Sequence, residues 1–241
     1  LLQVIWEYRK PYVIYSHDHR DIYGETARLS FAWRWFKHSF LNVFISPAHY
    51  ANFKKCLGSA AEPHFILPPP IDTEFFYPRE EVTRKPKTVV NLTGRLVSSK
   101  GLMNVYKWAA ANPDYKVNVY TKYAEGTSGK VLETKNNITI HKPVPYALLP
   151  YIYSEHEYVL HLPEDWEAAG RTLVEGLLCG WTLVEGLLCG CIPICNSKVG
   201  VASFAPDLLS YGRENLAVIL EEGQYIFWYN IYRYFQLLEE R

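Results

Sequence analysis

The chain has 241 residues, 49% of them apolar, which is enough for one large core or two modest ones. Lysine plus arginine equals aspartate plus glutamate at 25 each, so no global basic field argues for nucleic acid, and any cationic site must be local. No apolar run approaches the ~20 residues of a transmembrane helix, and no signal peptide is visible. Cys179, Cys189, Cys191 and Cys195 crowd together among apolar neighbours without matching histidines. That pattern favours buried thiols in a reducing, cytoplasmic setting over a disulfide framework or a zinc site, and no metal is assigned. Leu1 already stands inside what reads as an element, so an N-terminal portion is expected to precede it.

In chain order, residues 11–16 (PYVIYS), 42–46 (NVFIS) and 64–67 (HFIL) read as buried strands, with helical patterns over 26–41 and 47–57. Pro68, Pro69 and Pro70 cannot continue a sheet, and a proline- and charge-rich stretch follows to Lys87. A second series begins there: strand 88–92, helix 102–112, strands 116–120 and 137–141, helix 146–154 and strand 157–161. A helix containing a repeated segment comes next, followed by strands 191–195 and 216–220 and an aromatic helix from about 224. Alternating strands and helices of these lengths imply an α/β protein with doubly wound parallel sheets. The expected organisation is an N-terminal remnant over 1–75, a linker over 76–87, a binding domain over 88–223 and a closing helix over 224–241.

In such sheets ligands sit outside the carboxyl ends of the strands, so the following loops carry the chemistry. After strand 88–92 comes Gly94-Arg95-Leu96-Val97-Ser98-Ser99-Lys100-Gly101. Gly94 permits a tight turn, Arg95 and Lys100 can converge on one anion, and Gly101 opens a helix whose free N–H groups favour negative charge. This reads as a diphosphate site. After strand 137–141, the stiff backbone around Val144 can offer its N–H and C=O to a base edge. After strand 157–161, Glu167 stands on a glycine-containing loop and Glu175 in the opening turns of a helix. Glu175 suits a vicinal diol such as a ribose, and Glu167 a second polyol nearby. Two acceptors flanking a cationic diphosphate site describe a nucleotide sugar.

The GRLVSSKG segment, the E-x7-E spacing from Glu167 to Glu175 and the Gly190-Cys191-Ile192-Pro193-Ile194 run resemble the donor half of the family 4 retaining glycosyltransferases, which have the GT-B fold. Upstream, Val43-Phe44-Ile45-Ser46 and Leu67-Pro68-Pro69-Pro70-Ile71-Asp72 resemble that family's crossing between its domains. The resemblance implies a Rossmann-like donor domain preceded by part of an N-terminal Rossmann-like domain. It also implies sugar transfer with retention of anomeric configuration, with no cofactor beyond the nucleotide-sugar donor; the chain has no D-x-D segment to hold a divalent ion on the diphosphate, so Arg95 and Lys100 are expected to replace a metal. Arg95 and Lys100 are then expected to hold the diphosphate, Glu175 the ribose and Glu167 the sugar. The backbone of Ala168, Ala169 and Gly170 is expected to lie against the sugar and its phosphate, and Arg171 and Thr172 are expected among the donor-binding residues. His17 resembles the family's N-domain histidine that faces the sugar, with His19 the fallback. Arg171 departs from a position that is often apolar, and Lys142-Pro143 from one where glycine is frequent. The acceptor, whether glycan, lipid-linked or protein, is left open, and a nucleotide-sugar-binding module without turnover is the rival reading.

Thr172 to Gly180 recurs verbatim as Thr182 to Gly190, so the second carboxylate is offered twice, as Glu175 and Glu185. The first copy keeps the spacing back to Glu167 and the second the spacing forward to Pro193; the sheet edge favours Glu175 as the ligand, and docking of the second copy with the first bulged out is the alternative. A helix continuing through the second copy lengthens by ~15 Å and turns its apolar stripe about 80° away, which leaves Leu183, Val184, Leu187 and Leu188 without their sheet. The basic, aromatic segment 28–40 places Leu29, Trp33, Phe36 and Phe40 on one stripe. It reads either as core packing or as a peripheral contact with the cytoplasmic membrane face.

Overall fold

The structure, a computed structural model, describes residues 11–18, 26–72, 74–93, 100–121, 137–178, 191–196, 198–200 and 203. These divide into two compact units, one running to Pro69 and including Glu167–Ala169, the other taking the rest from Pro70 onward. The expected strand 216–220 and closing helix lie outside the described residues, as do His19, Gly94, Arg95 and the second copy of the repeat. Among the described residues, no helix is long and apolar enough to cross a membrane.

The first unit carries a three-stranded parallel sheet of β1 (Val13–Ser16), β2 (Leu41–Phe44) and β3 (His64–Ile66), with β2 central. Helices α1 (Thr26–His38) and α2 (Pro47–Leu57) connect the strands. Alternation along β2 gives each face its own core. Phe44 packs with Phe36, Phe53 and Leu57, while Val43 packs with Leu67. Helix α1 stops at His38, short of the expected 41, because polar side chains satisfy its last turn: Ser39 Oγ and Asn42 Nδ2 donate to the Phe36 carbonyl at 2.9 and 3.1 Å. Trp33 leaves the expected apolar stripe; it is exposed, with the Lys37 ammonium 4.3 Å from its ring centroid. Ser46 caps α2 by accepting from His49 N, and Pro47 fits the first turn, where no amide donor is required.

The second unit holds a five-stranded parallel sheet in the order β6-β5-β4-β7-β8. Its strands are β4 (Lys85–Thr93), β5 (Lys116–Thr121), β6 (Ile138–His141), β7 (His156–His161) and β8 (Ile192–Cys195). Val89 and Val90 are both fully buried, as expected of a strand covered on two faces. Val89, Val117, Val119 and Leu160 pack with Val105 and Ala109 of α3 (Leu102–Ala111). On the other face Val90 and Val159 meet Tyr153 of α4 (Leu149–Glu155) and Leu173 of α5 (Arg171–Leu178). Burying each such aliphatic side chain contributes roughly 1.5–3 kcal/mol relative to exposure. Gly176 brings α5 close to the sheet, since a Cβ there would stand 3.0 Å from Val159 Cγ1. Strand β4 starts three residues earlier than expected. Its register with β7 shifts between Lys85 and Val89, around the positive φ of Lys87, and charged residues at that irregular start gave no alternating pattern to read.

Candidate functional site

From β4 the chain winds outward to β5 and β6, then returns to the other side of β4 for β7 and β8. The order therefore reverses between β4 and β7, and ligands of open α/β sheets bind beyond the carboxyl ends of the strands at such a point. A cavity of about 240 Å³ lies at that edge of the second unit. Leu92 and Thr93 end β4 at its floor, and Tyr120 and Thr121 end β5 beside them. Pro143 and Val144 close one side, Leu149 and Tyr153 of α4 another, and Thr172 and Glu175 of α5 complete the wall.

Glu175 is 6% exposed, and Tyr153 donates to its Oε2 at 3.1 Å while Arg171 Nη2 lies 3.5 Å from its Oε1. Burial raises its pKa above the ordinary carboxylate value, and the Arg171 charge and the Tyr153 hydrogen bond pull the other way. A buried carboxylate with one hydroxyl donor and one distant guanidinium has acceptor capacity left for a ligand. The hydroxyls of Thr93, Thr121 and Thr172 are buried and have no hydrogen-bond partner among the described residues. The chamber thus combines apolar walls with few polar groups and one carboxylate, a composition suited to a neutral, partly aromatic, hydroxyl-bearing ligand.

Helix α5 begins at Arg171 because Gly170 holds φ +83°, where a side chain is strained, and a Cβ there would meet Val199 Cγ1 at 2.3 Å. The helix is built from the first copy of the repeat, so Glu175 is the carboxylate in the cavity. Val144, Thr172 and Glu175 are the expected site residues that the cavity brings together. Glu167, Ala168 and Ala169 group instead with the first unit, where Ser46 Oγ donates to the Ala168 carbonyl at 2.6 Å. Lys100 is half-buried and immediately precedes Gly101, whose φ of +72° opens α3. His17 belongs to the first unit; it is exposed, its ring centroid is 4.2 Å from that of Tyr15, and partial desolvation lowers its pKa. Gly94 and Arg95 lie outside the described residues.

Tyr120, Tyr153 and the hydroxyls of Thr93 and Thr121 were not expected from the sequence. Tyr120 was findable as a large ring at the carboxyl end of a strand, but Tyr153 reads as one more apolar position of its helix. Cys191 is buried with Sγ bonded to the Tyr153 carbonyl at 3.1 Å, and burial pushes its thiol up to about 12. Among the described residues, no cluster of His, Cys, Asp or Glu has the makings of a metal site.

The sequence matches no protein-family profile and no curated protein. Solved structures do match in fold. HepE of Anabaena, in complex with UDP and glucose, superimposes with a TM-score of 0.63 at 18% identity over 90% of this chain and 63% of its own. Sucrose-phosphate synthase of Thermosynechococcus elongatus gives 0.65 at 15% identity over 84% and 55%. The UDP-forming α,α-trehalose-phosphate synthase of Burkholderia vietnamiensis gives 0.56 at 12% over 88% and 59%. The chain therefore spans less than two thirds of the length of these proteins. At these identities the likeness is one of fold: two parallel-sheet, Rossmann-like α/β units of the kind found in GT-B glycosyltransferases.

Proposed function

We propose that this chain carries the donor-binding part of a glycosyltransferase of the retaining, family 4 type, moving a sugar from a nucleoside diphosphate to an acceptor. The observation that carries the reading is the buried, underused carboxylate of Glu175 in a chamber at the switch point of the second sheet. Its two oxygens suit the vicinal hydroxyls of a ribose, and the apolar walls around Val144 suit a base. Uridine diphosphate is the first nucleotide to try, because HepE was solved with UDP and the trehalose-phosphate synthase is UDP-forming.

The reaction's physical problem is charge, since the departing diphosphate gathers negative charge as the sugar becomes oxocarbenium-like. Arg95 and Lys100, close in sequence after β4, are assigned to the diphosphate, with the opening of α3 adding its free amides. The chain has no D-x-D segment to hold a divalent ion, so these cations are assigned that task and the chemistry is proposed to be metal-independent. Glu167 and the backbone of Ala168 to Gly170 are assigned to the sugar and its phosphate, and His17 to the sugar's other side.

Release of the nucleoside diphosphate from UDP-glucose, GDP-mannose and ADP-glucose in parallel tests the reading. Lys100→Ala is expected to lower release by about a hundredfold or more. Wild-type turnover in that variant removes Lys100 from the mechanism, and NMR of the transferred sugar's anomeric proton tests retention. A second reading, a nucleotide-sugar-binding module without turnover, draws support from the chain's covering only 63% of HepE. Binding without release of nucleotide, both by this chain and by one extended at its N-terminus, selects it.

A further inference from the structure

The two residues assigned to the sugar, His17 and Glu167, each stand just before a residue whose backbone carbonyl is held from the start of α2. Ser46 is fully buried, and its Oγ accepts from His49 N at 3.1 Å. A hydroxyl carries one proton, and that of Ser46 goes to the Ala168 carbonyl at 2.6 Å. His49 is fully buried as well. Its Nδ1 accepts from Ile45 N at 3.3 Å, so the neutral ring carries its proton on Nε2, which donates to the Asp18 carbonyl at 3.3 Å. Two side chains joined by one bond thus reach the chain beside His17 and the chain beside Glu167, all within the first unit.

The earlier part of the loop before α5 is held from the second unit. Asn104 Nδ2 donates to the Leu162 carbonyl at 3.1 Å, Asn196 Nδ2 to that of Pro163 at 2.9 Å, and Lys198 Nζ to that of Glu164. Side chains therefore grip this loop by its backbone, and the donor to the carbonyl next to Glu167 is Ser46. A carboxylate reaches no further than its backbone allows, and a misplacement of about 1 Å is enough to spoil its contact with a ligand.

We infer that Ser46 and His49 are positioning residues for the transferred sugar, holding Glu167 and His17 through the neighbouring carbonyls; the inference rests on the assignment of those two residues to the sugar of a nucleotide donor. The nucleoside is assigned to Glu175, so loss of either hold weakens recognition of the sugar and spares the nucleotide.

The test is calorimetric titration with UDP-glucose, GDP-mannose and ADP-glucose, and with the free nucleoside diphosphate of the donor that binds. Ser46→Gly removes the hydroxyl donor, while glycine in the extended backbone of this position keeps most of the helix cap. Its affinity for the nucleotide sugar is expected to fall about tenfold, and that for the free diphosphate to stay within about twofold. His49→Phe keeps the edge-on contacts with Phe44 and Phe53 but makes neither ring-nitrogen bond, and the same split is expected. Ser46→Gly added to Glu167→Ala is expected to cost nothing further, because two residues that act as one do not add. Ser39→Ala strips a buried cap from α1 in the same unit and is expected to leave both affinities unchanged. The inference is overturned by a parallel loss of nucleotide sugar and free diphosphate in Ser46→Gly or His49→Phe, by no loss in them, by an additive double variant, or by the same split in Ser39→Ala. No binding of any of the three donors by the wild-type chain sinks the donor-site reading, and this inference with it.

Discussion

Glu175 keeps a carboxylate where burial penalises its charge, with Tyr153 and Arg171 offsetting only part of the cost. Its folded pKa lies above the unfolded value of 4.5. Below pH 4.5 both states hold the proton and no penalty arises; as pH rises through 4.5 toward the folded pKa, stability is lost. Glu175→Gln is therefore expected to match the wild-type melting temperature near pH 4 and to exceed it at pH 7.5, while donor binding drops. A lower melting temperature at pH 7.5 contradicts this reading of the site. At this scale the sequence was informative where spacing carries chemistry. The interval from Glu167 to Glu175 pointed to the carboxylate that lines the chamber, and Val144 and Thr172 line it too. Tyr153 was not legible, because it joins groups far apart in the chain: it reaches Glu175 across 22 positions.

Two glycines set where helices may begin, and that determines what their first turns can reach. Gly101 adopts φ +72°, and a Cβ there would stand 1.8 Å from the Leu162 carbonyl oxygen, backbone that has no rotamer to yield. Gly101→Ala is expected to cost about 3 kcal/mol in denaturant unfolding and to weaken whatever Lys100 binds. A change under about 0.5 kcal/mol contradicts that packing. The strands of the second sheet were readable because both faces are covered, leaving near-continuous apolar runs bounded by proline and charge. Their ends were less so. Strand β4 extends back to Lys85 through pairing with β7, and α1 closes early on Ser39 and Asn42, both settled by partners that local pattern does not show.

At the scale of the molecule, alternating strands and helices predicted parallel α/β architecture, and both sheets are parallel with all described connections in that style. The reversal of order at β4 places the chamber, and the likeness to HepE and sucrose-phosphate synthase is one of fold. The copy of the repeat that adjoins Gly170 forms α5 and supplies Glu175 to the chamber wall. The chamber is proposed to hold the nucleoside of a sugar donor. Calorimetric titration of UDP-glucose into the wild-type chain and into Glu175→Gln tests it most directly. Saturable binding is expected, weakening at least about tenfold in the variant; equal affinity in the two proteins would remove the chamber from donor binding.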